Sequence, residues 1–175
     1  MLYPLSYEDD ARLILAHTHG GGDMGNTQSQ LPFFVYGTLL PGQPNYGYWR
    51  GGVLAQQPAL LPEACLFDRG NYPMLIENRP GTVRGLAITV FPSLYPAILA
   101  ALDTLEGYDP SRAETAEYRR ERRVIQLLNG LPVVAWVYVG QPDQMDDLPQ
   151  AGGDWKQYAR TRQREIDSWW QASGR

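Results

Sequence analysis

Two apolar runs, Val124-Ile125-Gln126-Leu127-Leu128 and Leu131-Pro132-Val133-Val134-Ala135-Trp136-Val137-Tyr138-Val139, meet at Asn129-Gly130. β-branched and aromatic side chains on both sides of an Asn-Gly pair read as a β-hairpin closed by a type I′ turn. Pro132 has no amide hydrogen and weakens the start of the second strand. The hairpin commits the second half of the chain to a sheet, and short apolar runs upstream supply further strands. Phe33-Phe34-Val35-Tyr36, ended by Gly37, is the first. Ala59–Phe67 and Thr82–Val90 follow as sheet neighbours, separated by turn chemistry at Asp68-Arg69-Gly70-Asn71 and Asn78-Arg79-Pro80-Gly81.

Two helices interrupt this pattern. Ser93 is placed to cap one in which Leu94, Ile98, Leu102 and Leu105 recur at three- and four-residue spacing, with Gly107 as its stop and Pro110 close behind. Asp154 is placed to cap a second, from Trp155 to about Gln171, carrying Tyr158, Arg162, Ile166, Trp169 and Trp170. The two tryptophans suit either packing on the sheet or a self-association surface. Residues 1 to 30 have another texture: a possible helix from Ser6 to His17, then a polar, glycine-rich run from His19 to Gln30. They read as an extension and linker, with one domain over residues 31 to 175. The sum is strand-rich α+β, and about six short apolar strands can close into a small barrel.

Composition narrows the partners. Fifteen basic against nineteen acidic side chains leave a net charge of −4 over 175 residues, so no broad field favours nucleic acid or an anionic membrane. A small-molecule ligand is expected. The single cysteine, Cys65, forms no internal disulfide, and Leu13-Ile14-Leu15-Ala16 follows Glu8, Asp9 and Asp10 rather than a basic segment, unlike a signal peptide. The expected location is cytoplasmic. Lys156 is the sole lysine, which excludes a P-loop. His17, His19 and Asp23 in a polar tail make a poor metal cluster, and Cys65 has no histidine base outside that tail. Arg119, Arg120, Arg122 and Arg123 alternate with Glu114, Glu117 and Glu121, as in an ion-paired solvated face. Arg123 breaks the alternation set by Ile125 and Leu127, which leaves the register there open.

Two segments carry possible chemistry. Tyr36-Gly37-Thr38-Leu39-Leu40-Pro41-Gly42 is a strand running into a glycine-bounded loop: either a plain tight turn or a nest of backbone N–H groups able to hold a carboxylate. The aromatic and amide residues of Gln43-Pro44-Asn45-Tyr46-Gly47-Tyr48-Trp49 suit a pocket wall. Leu102-Asp103-Thr104-Leu105-Glu106-Gly107 places two carboxylates three apart on one helical face. Glu106 is then either a solvated end-of-helix acid or, if enclosed, a general base whose pKa is raised by burial and by the negative helix end. Asp103 reads as a structural hydrogen-bond acceptor.

In this order and spacing, Tyr36-Gly37-Thr38-Leu39, Tyr72-Pro73-Met74, Leu102 to Gly107, Tyr118-Arg119-Arg120 and Ala135-Trp136-Val137-Tyr138 resemble the γ-glutamylcyclotransferase-like family over about residues 32 to 140. Gln43-Pro44-Asn45 is similar to its γ-glutamylamine cyclotransferase branch. The resemblance implies a small mixed β-barrel of about five to seven strands with flanking helices. It also implies an enzyme needing neither cofactor nor metal, which releases 5-oxoproline and an amine or amino acid from a γ-glutamyl substrate. By matching position, Glu106 would be the base, Tyr36, Gly37, Thr38, Leu39 and Leu40 would hold the substrate's carboxylate, and Tyr72, Tyr118 and Tyr138 would line the pocket, the last two donating hydrogen bonds to substrate. The alternative is a non-catalytic module that binds γ-glutamyl or carboxylate ligands on the same fold. The amine half of the substrate and the oligomeric state are not legible at this level.

Overall fold

A computed structural model of the chain describes residues 30–112, 116–142 and 148–172. The Ser6–His17 helix, the His17, His19 and Asp23 grouping, nearly all of the polar run before Gln30, and Glu114 lie outside these residues. Six strands, β1 (Phe33–Val35), β2 (Val53–Asp68), β3 (Pro73–Val90), β4 (Tyr118–Leu127), β5 (Pro132–Gly140) and β6 (Gln150–Gly152), form one sheet in the order β3-β1-β5-β4-β2-β6. A further β2–β3 pairing closes the first five into a mixed barrel, and only β1–β5 is parallel. Helices α1 (Tyr95–Leu105), α2 (Trp155–Thr161) and α3 (Gln163–Ala172) flank it. None of the described helices is long and apolar enough to cross a membrane.

Strand alternation sorts side chains between two apolar clusters on the two faces of the closed sheet. On β1, Phe34 joins Leu61, Leu75, Val137, Trp155 and Trp170, while Phe33 and Val35 join Trp49, Ile88, Ile98 and Leu102. With both faces covered, β1 reads as a continuous apolar run.

Several local expectations change. β2 and β3 are longer than the apolar runs, because Asn78-Arg79-Pro80-Gly81 lies inside β3 and opposite a register shift between Pro62 and Ala64. Asn78 (φ 57°), Gly81 (φ 142°) and Glu63 (φ 53°) absorb this bulge without ending the strand. The hairpin turn is not type I′: Asn129 does not take positive φ, and Gly130 alone is left-handed (φ 85°). Gly130 N–H donates to Leu127 O (2.8 Å) and Leu127 N–H to Leu131 O (2.9 Å), a three-residue loop that ends in the left-handed glycine. α1 starts at Tyr95 after an N-cap at Leu94, with a proline in its first turn, so Ser93 is not the cap. Asp154 does cap α2, accepting from Gln157 N–H (3.0 Å), but the chain breaks at Arg162 (φ −120°) before α3 begins. Trp170 is 9% exposed and Trp169 packs against the same cluster, so both rings pack on the sheet.

The register left open at Arg123 is settled by unbroken alternation through β4. Arg123 faces the side of Ile125 and Leu127 and meets Glu77 of β3 as a two-pronged ion pair, with Nη2 2.7 Å from Oε2. Of the expected ion-paired face, Arg123 and Glu121 pair within the strand (3.5 Å), whereas Arg120 is largely enclosed and pairs with Asp103 (2.6 Å), and Glu117 pairs with Arg69 of the β2–β3 turn (2.9 Å).

Asp68, at the end of β2, is a buried charge with 2% exposure. It accepts from Gly70 N–H (2.7 Å), Tyr158 Oη–H (2.8 Å) and Arg162 Nη1–H, tying α2 and the start of α3 to the β2–β3 turn. Removing it leaves the Tyr158 hydroxyl and Arg162 Nη1 without this acceptor, Arg162 Nε keeping Glu165 (2.9 Å). Asp68→Ala is expected to lower the unfolding free energy by about 2–3 kcal/mol in urea titrations at pH 7.

Candidate active site

The C-terminus of α1 sets Glu106. Gly107 is left-handed (φ 64°), Tyr108 N–H donates to Asp103 O (2.8 Å) and Gly107 N–H to Thr104 O (3.3 Å). This double closure is the Schellman arrangement, which glycine favours at the first residue past the cap. Glu106 is the cap residue itself. Its side chain lines a cavity of about 340 Å³, together with Tyr36, Gly37, Thr38, Leu39, Asn45, Tyr72, Thr104, Glu117, Tyr118, Tyr138, Trp169 and Trp170 among others. Of the sequence-derived candidates only Leu40 is not on this wall; it packs in the apolar cluster behind the loop. Glu117, Trp169 and Trp170 were not among the candidates, because nothing in their local spacing distinguishes a pocket wall from an ion-paired strand end or a core helix.

The loop after β1 is closed on itself. Leu40 N–H donates to Gly37 O (3.0 Å), Asn45 N–H to Thr38 O (3.0 Å), and Asn45 Nδ2 to Thr38 Oγ1 (3.0 Å). Gly37 is required by a neighbour rather than by its dihedral angles: a Cβ there would stand 2.5 Å from Pro73 Cγ. The Tyr36-Gly37 and Tyr72-Pro73 segments are thus packed together.

Beneath them runs a buried polar chain. Tyr36 Oη–H donates to Tyr138 O (2.6 Å), Tyr138 Oη–H to Asp103 Oδ1 (2.7 Å), and Arg120 Nη1–H to Asp103 Oδ2 (2.6 Å). Arg120 also lies over the rings of Trp136 (4.8 Å) and Tyr108 (5.2 Å). Tyr118 Oη–H donates to Pro73 O (3.0 Å). Asp103 is therefore the structural acceptor that its position suggested. The hydroxyl hydrogens of Tyr118 and Tyr138 are thus directed within the protein, at Pro73 O and Asp103 Oδ1.

Glu106 and Asp103, three residues apart, have opposite surroundings. Burial holds Asp103 above the ordinary carboxylate range, an effect that Tyr138 and Arg120 offset only in part. Glu106 as a residue is half-buried and lines the cavity, while its carboxyl is surrounded by protein. Burial, reinforced by the neighbouring Glu117 charge, pushes its pKa up to about 8. Burial also raises Tyr36, Tyr118 and Tyr138, with Glu106 adding to each, so all three stay protonated at neutral pH. Among the described residues lining the cavity there is no histidine, cysteine, lysine or arginine.

A sequence profile described as "Gamma-glutamyl cyclotransferase, AIG2-like" matches residues 33–157, most of the chain. The chain belongs to that family. A Vibrio cholerae protein provisionally named a gamma-glutamylcyclotransferase is 35% identical over 124 residues, spanning 71% of this chain and 94% of that one. The gamma-L-glutamyl-butirosin B gamma-glutamyl cyclotransferase of Niallia circulans is 33% identical over 128 residues, 71% of this chain and 75% of that one. A solution structure from Arabidopsis thaliana shares the fold, with a TM-score of 0.54 at 20% identity over 82% of this chain and 81% of its own. In this γ-glutamyl cyclotransferase family member, the segments that carry the sequence resemblance converge on one cavity.

Because the folded state holds the Glu106 proton more tightly than the unfolded chain, the stability tied to that proton is complete below about pH 4.5 and is lost as pH rises through about 8. Glu106→Gln is permanently neutral and escapes the loss. Urea unfolding at pH 5 and pH 9 is expected to show the variant gaining on the wild type by on the order of a few kcal/mol at the higher pH.

Proposed function

We propose that the protein is a γ-glutamyl cyclotransferase in which Glu106 is the general base and then the general acid. The observation that carries this reading is the enclosed Glu106 carboxyl, pushed up to about 8 beside a closed backbone loop in a cavity of small-molecule size. In the reaction, the α-amine of a γ-glutamyl group attacks its own γ-carbonyl, forming the five-membered lactam of 5-oxoproline and breaking the amide bond to the leaving amine. The α-ammonium must first give up a proton, and the Glu106 carboxylate takes it. The attacking nitrogen sheds its second proton to solvent as the C–N bond forms; when the tetrahedral intermediate collapses, the Glu106 acid returns the first proton to the departing nitrogen, and the released amine takes up a further proton from solvent.

The remaining groups position the substrate. The backbone of Tyr36, Gly37, Thr38 and Leu39 turns at the cavity wall and presents amide dipoles to the α-carboxylate. The Tyr118 and Tyr138 oxygens, whose hydrogens are directed at Pro73 O and Asp103, accept from the α-ammonium. Tyr72, held by Glu117 (3.2 Å), lines the adjoining wall. Since nucleophile and electrophile belong to one molecule, holding the glutamyl chain folded supplies much of the acceleration. No step calls for a metal or cofactor, and the partner is a small γ-glutamyl compound.

Glu106→Gln is expected to fold as the wild type does by circular dichroism and to lose at least about 10²-fold in 5-oxoproline release from γ-glutamyl amides. Tight binding of γ-glutamyl ligands by the wild type with no release of 5-oxoproline would instead make the protein a binding module. In the wild type, kcat/KM should climb as pH rises through about 8, where Glu106 becomes a carboxylate. A flat pH–rate profile between pH 6 and 9 would remove Glu106 from the base role.

A further inference from the structure

The family match ends at residue 157, yet the cavity is walled in part by Trp169 and Trp170 of α3. If the glutamyl half occupies the β1 loop and Glu106, as the cyclotransferase reading requires, the leaving amine extends toward Tyr72, Glu117 and the two tryptophans. These form one connected patch. Trp169 and Trp170 meet edge to face at 4.9 Å, and the Asn71 amide, turned so that its oxygen faces the indole, accepts from Trp169 Nε1–H (3.2 Å) beside Tyr72. Tyr72 in turn donates to Glu117. The patch is fixed from behind by Asp68, which binds Tyr158 and Arg162 and so seats α3 on the same β2–β3 turn.

From this geometry we infer that α3 builds the leaving-group subsite, and that the subsite selects a γ-glutamyl amine whose leaving group is apolar or aromatic and bears no carboxylate. The aromatic faces offer large apolar contact area. A carboxylate on the leaving group would enter a cavity that already holds Glu106 and Glu117, with no lysine, arginine or histidine among its described lining residues. The neighbouring cation, Arg69, is bound to Glu117 at 2.9 Å. Such a carboxylate would lose its hydration without gaining a partner. Trp169 is a specificity residue in this arrangement, and Asp68 a positioning residue.

The test uses three substrates and the full chain: γ-glutamylphenethylamine, γ-glutamylphenylalanine, which differs from it by one carboxylate, and γ-glutamylmethylamine, too short to reach the tryptophans. The wild type should release 5-oxoproline from the phenethylamine derivative with a kcat/KM at least about tenfold above that for the phenylalanine derivative. Trp169→Ala should raise KM for the phenethylamine derivative about tenfold more than for the methylamine derivative, with the change in KM rather than kcat. Trp169→Phe should recover most of that loss. Glu117→Gln, which frees Arg69, should narrow the preference against the phenylalanine derivative. Equal use of the phenethylamine and phenylalanine derivatives by the wild type, or a Trp169→Ala defect as large on the methylamine derivative, overturns the inference while leaving the cyclotransferase reading intact. No 5-oxoproline from any of the three overturns that reading and this one together.

Discussion

The chain of hydrogen bonds from Arg120 through Asp103 and Tyr138 to Tyr36 is the constraint on which the site depends. Its members come from β4, the last turn of α1, β5 and the end of β1, which are distant in sequence. Buried polar groups are costly unless paired, so each member has a restricted set of places where it can sit. By anchoring Asp103 to two strands, the chain fixes the end of α1 against the barrel. Glu106 follows three residues later, on a helix end whose closure at Gly107 leaves little freedom of direction.

That arrangement gives two neighbouring carboxyl groups different chemistry. Asp103 has a guanidinium and a hydroxyl to stabilise its charge, whereas Glu106 is enclosed with the Glu117 carboxylate for a neighbour. The first is bound into the scaffold, and the second has its pKa pushed up to about 8. The hydroxyl hydrogens of Tyr36, Tyr118 and Tyr138 are directed into the scaffold, and all three residues line the cavity.

Much of the fold was legible locally. The apolar runs marked all five barrel strands, the Leu94 to Leu105 spacing marked α1, and Gly107 marked its end, because these signals depend on periodicities of two and 3.6 residues and on single-residue conformational preferences. Local chemistry misled at Asn78 to Gly81, where turn-forming residues make a bulge within β3, since the long β2 partner keeps the ladder intact on either side. It also misled at Asn129, where the pairing of Leu127 with Leu131, next in register after Gln126 with Pro132, leaves three residues in the loop, one more than a type I′ turn contains. Arg123 looked misplaced in its strand only because its partner, Glu77, lies 46 residues away.

The sequence by itself determined that this chain makes a strand-rich α+β domain, that a glycine-bounded loop follows the first strand, and that a glutamate caps the helix after the third. Those outcomes rest on short-range sterics and on the pattern of apolar residues, both written along the chain. Tertiary structure alone decided that Glu106 is enclosed while Asp103 is paired, that Gly37 must yield space to Pro73, and that Trp169 and Trp170 join the loop around one cavity. Each of these depends on which groups remain near one another once water is excluded, and burial and charge proximity are properties of the closed barrel rather than of any segment of it.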